Sequence, residues 1–225
     1  MELSTNITIP VAPAGYKSGF VGIIGRPNVG KSTLMNQLVG QKVAITSPVA
    51  QTTRNRLRGI LTTQAAQIIF VDTPGIHKPQ HQLGKVLVQN AKVAIQSVDL
   101  VLLIVDGSVI AGGGDRYIIN LLDKIQTPVI LGMNKLDLQP QDAWKIEASY
   151  YQLIHPHPWQ IIKFSAVTGE GVEILQDLLI EQMETGPYYY PPDLVTDQAE
   201  RFIMGELIRE QILLLTSTNS KINCR

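Results

Sequence analysis

Three stretches of the chain are apolar at nearly every position: residues 20–24, 100–105 and 128–133. A strand with one solvated face would alternate, so unbroken runs of this length predict strands covered on both faces. Between them, apolar residues recur every three or four. Leu34, Met35 and Leu38 share one face of 31–39, Val86, Leu87, Ala91 and Ala94 one of 84–97, and Ile118, Ile119 and Leu122 one of 115–124. That spacing predicts helices. Further helices are expected at 142–153 and 172–183, and a further strand at 160–164. Residues 56–61 and 67–71 are strand-like with no helix between them, which predicts an antiparallel pair at a sheet edge. The expected fold class is α/β, a six-stranded, mostly parallel sheet between helices.

Residues 1–18 lack periodicity and read as a flexible tail, and organised sequence, from Gly19 to residue 185, forms one domain. Residues 186–196, rich in proline and tyrosine, read as a linker stiffened by its adjacent prolines. Asp197 then looks like the cap of a last helix running to about Leu215, followed by a polar tail to residue 225. A few dozen residues after the linker are too few for an independent domain. Residues 41–55 and 73–83 carry no period and read as loops, and so does the surface run Gly112, Gly113, Gly114.

Composition narrows the function classes. Lys+Arg and Asp+Glu are both 19, so the formal net charge is zero, which argues against a polyanion binder driven by bulk charge. No apolar run reaches the roughly 18 residues of a membrane helix. The N-terminus has no basic-then-apolar run, so a secretory signal is not expected. Cys224 is the only cysteine. It excludes an internal disulfide framework and a cysteine-based zinc site, and it fits a reducing cytoplasm.

The chemistry sits at strand ends. Residues 25–32 read Gly25, Arg26, Pro27, Asn28, Val29, Gly30, Lys31, Ser32. This is G-x-x-x-x-G-K-[ST] after a buried strand and at the start of a helix, where backbone N–H groups cradle a phosphate chain. Lys31 is placed to reach the β and γ phosphates, and the Ser32 hydroxyl to bind Mg²⁺. A second strand ends in Asp72, Thr73, Pro74, Gly75. Asp72 is placed to support the metal, and Gly75 to offer its N–H to a γ phosphate. A third ends in Asn134, Lys135, Leu136, Asp137. The Asp137 carboxylate matches the N1 and 2-amino donors of guanine and would reject adenine as an unpaired buried charge; in isolation the same residues read as a solvated helix cap. The N–H of Ala166, after Ser165, suits guanine O6.

With these residues in order, the sequence resembles the translation-factor-related GTPases of the Ras-like fold, and within them the bacterial ribosome-assembly GTPases. The resemblance also rests on Gln51, Thr52, Thr53, Arg54, on residues 71–78, on Tyr188, Tyr189, Tyr190, and on residues 196–210. It implies a Ras-like GTPase domain, a molecular switch that binds GTP or GDP with Mg²⁺ and hydrolyses GTP. Residues 25–32 with Thr33, residues 72–75, Asn134, Lys135 and Asp137, and Ser165, Ala166 and Val167 would contact the nucleotide. Ser32, Thr53 and Asp72 would surround Mg²⁺, with Thr53 preferred over Thr52 as the effector-loop threonine. Lys31, Thr53 and Gly75 would act in catalysis. Lys135 would stack its stem on the base or ribose, or brace the phosphate loop. Asn28 either helps bind K⁺ near the phosphates or shapes the loop by a hydrogen bond.

The resemblance further implies the small ribosomal subunit and 16S rRNA as partners, and a cytoplasmic protein with possible peripheral membrane association. Ile76 occupies the position where many GTPases carry the glutamine that orients water, so no water-positioning residue is named; His77 is more simply a solvated loop residue. This leaves a second reading, a GTP-dependent binding module with vestigial hydrolysis. The RNA-binding KH domain expected of such proteins does not follow Leu215. Residues 197–225 therefore read as its first helix and a tail, with the apolar face Phe202, Ile203, Leu207, Ile208, Leu214 and Leu215 to be docked, paired or left bare.

Overall fold

The computed structural model describes residues 9–46, 57–72, 75–76, 95–123 and 125–220. Its elements follow in the order β1 (Lys17–Gly25), α1 (Lys31–Val39), β2 (Leu57–Thr62), β3 (Ala66–Asp72), β4 (Leu100–Asp106), α2 (Gly113–Leu122), β5 (Val129–Asn134), α3 (Ala143–Ile154), β6 (Gln160–Lys163), α4 (Val172–Gln182) and α5 (Glu200–Ser220). Six strands form one sheet in the order β2-β3-β1-β4-β5-β6. All neighbours pair parallel except β2 and β3, the antiparallel edge pair. This is the expected six-stranded, Ras-like architecture. The helix expected at 84–97 lies outside the described residues, apart from its end near the buried Ile95.

Two cores explain the unbroken apolar strands. In β4, Leu100, Leu102 and Ile104 belong to one cluster, with Leu34 and Met35 of α1 and Leu175 and Leu179 of α4. The intervening Val101, Leu103 and Val105 belong to the other, with Ile118 and Ile119 of α2 and Ile146 and Tyr150 of α3. Side chains alternate across the sheet, and both faces are covered, so every position is apolar. Parallel strands leave their carboxyl ends on one side, and the chain reverses direction across the sheet at β1. Open α/β sheets build their sites at such a switch point.

Three boundaries differ from the sequence reading. β1 begins at Lys17, and Tyr16, placed in the tail by its lack of period, is buried. Its ring packs on Tyr188 with centroids 4.5 Å apart, a partner no local pattern reveals. The glycines 113 and 114 open α2 instead of forming a surface loop, because Asp115 accepts the Gly112 N–H at 2.9 Å and caps the helix. The last helix continues past Leu215 to Ser220.

The linker is built into the domain. Gln67, fully buried, accepts N–H bonds from Tyr189 (2.8 Å) and Tyr190 (3.0 Å) and donates to the Tyr190 carbonyl (2.9 Å). The Ile60 N–H donates to the Val195 carbonyl at 2.9 Å, and the Thr196 hydroxyl to the Arg58 carbonyl at 2.7 Å. The linker thus covers the open edge of β2, which would otherwise present unpaired backbone groups. It delivers α5 to the segment after α1. Phe202 packs on the first core. Glu210, 2% exposed, accepts the Thr46 N–H (2.8 Å) and hydroxyl (2.9 Å) and pairs with Lys42. Of the six residues of that apolar face, Ile208, Leu214 and Leu215 remain exposed, together with Met204 and Ile212.

Burial works to raise the Glu210 pKa, but the Lys42 ammonium and the Thr46 hydrogen bonds hold it below the usual glutamate value. A depressed folded-state pKa stabilises the docked helix at pH above the ordinary glutamate value of about 4.3, and this stabilisation fades as pH falls below it. Protection of the amides of 200–215 against hydrogen exchange, taken relative to their intrinsic rates at each pH, should therefore be high at pH 7 and fall as the solution is acidified below about 4. Glu210→Ala should show low protection at both pH values, with a cost of about 1–3 kcal/mol.

Candidate active site

The phosphate loop leaves β1 and closes at Gly30, the residue before α1. Asn28 and Gly30 both take positive φ, 64° and 95°. A backbone that alternates in this way between left-handed and ordinary conformations turns its N–H groups to one side and forms an anion-binding concavity. α1 has no side-chain cap and no acidic residue in its first turn, so neither competes for the first N–H groups. Val29 is buried beneath the loop, whereas Asn28 is exposed. Lys31 lies along the loop and is 8% exposed, its Nζ donating to the Arg26 carbonyl at 2.9 Å. Burial lowers its pKa, an effect that the nearby Asp72 charge opposes.

Asp72, at the end of β3, is fully buried. Its Oδ2 accepts a 3.2 Å hydrogen bond from Ser32 Oγ. A carboxylate and a hydroxyl brought together beside an anion cradle are hard oxygen donors of the kind Mg²⁺ takes. Thr33, also in the first turn of α1, is partly exposed. Gly75 packs directly on Pro27 of the phosphate loop, and the Ile76 N–H donates to the Gly25 carbonyl at 3.0 Å. The Ile76 side chain is 3% exposed and belongs to the second core cluster. Thr53, Thr73 and Pro74, together with Thr52, Arg54 and His77, lie outside the described residues.

The ends of β5 and β6 meet the phosphate loop through Asn134. This buried carboxamide donates from Nδ2 to the Val29 carbonyl (2.8 Å), and its Oδ1 accepts the Ala166 N–H (2.9 Å). The Ala166 N–H, expected to face a ligand, is thereby engaged inside the protein. Lys135 follows in the left-handed region, φ 70°, and its Nζ pairs with Asp106 Oδ2 at 2.5 Å. Burial works to raise the Asp106 pKa, but hydrogen bonds from Lys135 and Ser108 outweigh it and hold the carboxyl below its usual value. Asp137 lies in a single 3₁₀ turn, Leu136–Leu138. Asp137 is exposed. Ser165 Oγ holds it, donating to Oδ1 at 2.5 Å while accepting the Thr168 N–H at 3.1 Å. Val167 is exposed beside it.

The structure thus gathers residues 25–33, 72, 75, 134, 135, 137 and 165–167 at one end of the sheet. The Arg26 side chain turns away from this concavity, with its Nε 2.7 Å from Asp115 Oδ1 on α2. The sequence reading missed Asp106 and Asp115. Asp106 ends an apolar strand, a position shared with Asp72 and Asn134, and that signal was available.

A family model described as "50S ribosome-binding GTPase" matches residues 20–135. The GTPase Era of Crocosphaera subtropica is 71% identical over 216 residues, which cover 96% of this chain and 69% of the relative. The chain belongs to the Era family of GTPases. Era structures share its fold. One, in complex with MgGDPNP and nucleotides 1506-1542 of 16S ribosomal RNA, matches with TM-score 0.79 at 36% identity, covering 87% of this chain and 66% of that one. Another, a variant of Aquifex aeolicus Era bound to GDP.AlF4-, gives TM-score 0.81 at 36% identity, covering 88% and 68%. As an Era-family protein, the chain binds guanine nucleotide and hydrolyses GTP to GDP and phosphate. Among its described residues no helix is long and apolar enough to cross a membrane.

Gly30 tests this construction. A Cβ there would lie 2.2 Å from Asn134 Nδ2, at a φ that side chains rarely adopt. Gly30→Ala should cost about 1–3 kcal/mol of strain at the cradle. Titration with a fluorescent GDP analogue should show affinity reduced by about tenfold or more, at 1.4 kcal/mol per decade.

Proposed function

We propose that this Era-family chain is a GTP-driven switch in assembly of the small ribosomal subunit and maturation of 16S rRNA. The observation that supports its core is the joining of three strand ends by Asn134, which places the phosphate loop beside Asp137 and Ser165. In this reading Lys31 and the N–H groups of residues 25–33 bind the β and γ phosphates, and Gly75, with Thr73 and Pro74, faces the γ phosphate. Asp137 pairs with the guanine N1 and 2-amino groups. Asn134 holds the base-reading residues against the phosphate loop, and Ala166 and Val167 flank the base. Lys135, paired with Asp106, braces this end of the site and lays its stem along the base or ribose.

Ser32 and Asp72, with Thr53, would hold Mg²⁺, which supplies neutralising charge to the phosphates. Asn28, exposed at the loop apex, would provide an oxygen for K⁺. Lys31 carries the remaining charge stabilisation from the protein as negative charge shifts toward the leaving β phosphate. Thr53 completes the loop that GTP orders and hydrolysis releases. Ile76 motivated the reading with vestigial hydrolysis, but its side chain lies in the core.

The partner assignment rests on the Era relative bound to 16S ribosomal RNA. The "50S" in the family description belongs to a model of residues 20–135, which stops before the linker and α5. A cytoplasmic setting accords with the single cysteine; peripheral membrane contact stands on family resemblance.

Two experiments test the proposal. Asp137→Asn replaces an acceptor with a donor, so GTP affinity should fall about tenfold or more while xanthosine triphosphate binding improves. Unchanged GTP affinity in fluorescent-nucleotide titration would remove Asp137 as the base reader. Phosphate release by the parent chain should be faster in K⁺ than in Na⁺ buffer, and faster again with a 16S rRNA 3′ fragment. Equal rates in K⁺ and Na⁺ would dismiss the Asn28 cation site, and indifference to RNA would dismiss direct RNA coupling.

A further inference from the structure

Arg26 does two things at once. Its carbonyl accepts the Lys31 ammonium at 2.9 Å, inside the phosphate loop. Its guanidinium leaves the loop and pairs through Nε with Asp115 Oδ1 at 2.7 Å. The Asp115 side chain is 1% exposed, and its other oxygen accepts the Gly112 N–H at 2.9 Å. Both carboxylate oxygens are therefore fixed, one to the start of α2 and one to the phosphate loop. The stem of Arg26 crosses the first turn of α2 at Gly114, where a Cβ would sit 2.6 Å from Arg26 Cδ. Tyr150 of α3 borders the guanidinium, and its hydroxyl donates to the Asp106 carbonyl at 3.2 Å.

The residue after Arg26 is Pro27, whose ring fixes φ and so passes the placement of residue 26 along the chain. Pro27 is also the surface against which Gly75 packs. Residues 26 and 27 thus join α2, the Lys31 ammonium and the Gly75 segment. Removing the Asp115 charge would free the guanidinium. Removing the guanidinium would leave a buried carboxylate without its counter-charge, which low-dielectric surroundings penalise heavily.

We propose that Asp115 is a positioning residue for GTP hydrolysis: through the Arg26 side chain it sets the Arg26 carbonyl and Pro27, and thereby the Lys31 ammonium and the seat of Gly75. Asp115 itself touches neither phosphate nor metal. The proposal rests on the phosphate-binding role assigned above to residues 25–32. Displacements of about 1 Å in such a cradle cost on the order of a hundredfold in rate. A residue serving only α2 would change stability and leave the rate alone.

The experiment uses the full chain with Asp115→Asn, Arg26→Lys, Arg26→Ala and the double variant Arg26→Ala/Asp115→Asn. Asp115→Asn is the decisive change, because the amide oxygen still caps Gly112 while the charge facing Arg26 is lost. Steady-state GTP hydrolysis, fluorescent-GDP affinity and thermal melting are measured on each. The expected result is kcat/KM for Asp115→Asn and Arg26→Ala lower by about ten- to a hundredfold, with cooperative melting retained. The double variant should be no slower than the slower single variant, since both break one link. Arg26→Lys, which keeps a charge against Asp115, should recover part of the loss.

Kinetics of Asp115→Asn indistinguishable from the parent would overturn the proposal, as would losses that multiply in the double variant. Lower melting temperatures with unchanged kcat/KM and GDP affinity would overturn it too, in favour of a purely structural pair. If Lys31→Ala, run alongside, binds and hydrolyses GTP like the parent, the phosphate-loop reading itself fails, a result distinct from failure of the Asp115 link.

Discussion

The site depends on one buried amide. Asn134 closes β5, and its carboxamide is almost wholly out of solvent. An amide in that position must find partners or cost about 1–3 kcal/mol. The partners it finds are the Val29 carbonyl of the phosphate loop and the Ala166 N–H after β6. Three segments far apart in the chain are thereby held in one arrangement. Gly30 follows from the same contact, because the Asn134 amide occupies the space a Cβ would need. The residues on either side inherit the geometry. Lys135 turns into the left-handed region and reaches Asp106, and Asp137 comes within reach of Ser165. The asparagine's principal contacts are thus inside the protein, whereas Asp137 is exposed.

What the sequence made legible, and what it hid, follows from range. β4 could be read because both faces are covered, so each position is selected for burial: Leu102 toward α1 and α4, Leu103 toward α2 and α3. The phosphate loop could be read because its chemistry is contiguous, eight residues between a strand and a helix. Gln67 could not. It is one polar residue opening an apolar strand, and its partners Tyr189 and Tyr190 are more than 120 residues away. Asp115 was hidden for the same reason, since its link to Arg26 spans 89 positions. The glycines before it looked like a loop because glycine is a poor helix former. Here one of them is the space through which Arg26 passes.

The C-terminal segment shows a polar contact fixing what hydrophobic pattern left open. The apolar residues of α5 allowed docking, pairing or exposure. The helix docks by a mixed contact, Phe202 on the core and the Glu210 carboxylate on Lys42 and Thr46. A carboxylate satisfied by a backbone N–H, a hydroxyl and an ammonium has a defined angular position, which apolar contact alone does not impose. This orientation leaves Met204, Ile208 and Ile212 on the outer face. The segment it grips, residues 42–46, follows α1 directly, so the last helix is tied to the chain leaving the helix of the phosphate loop.

Ile76 constrains how hydrolysis can proceed. Its side chain is in the second core cluster, while its N–H donates to the Gly25 carbonyl. The residue after Gly75 therefore anchors that segment to β1 by main chain and by packing, and a buried apolar side chain cannot orient water. In the proposed mechanism charge stabilisation would come from groups of the cradle: the Lys31 ammonium, the loop N–H groups and the cations proposed to bind there. Rigid placement then matters more than any single acid or base, because preorganised dipoles act without reorganising as charge develops. Asn134 ties Val29 of the phosphate loop to β5, and Asp115 ties Arg26 of the same loop to α2.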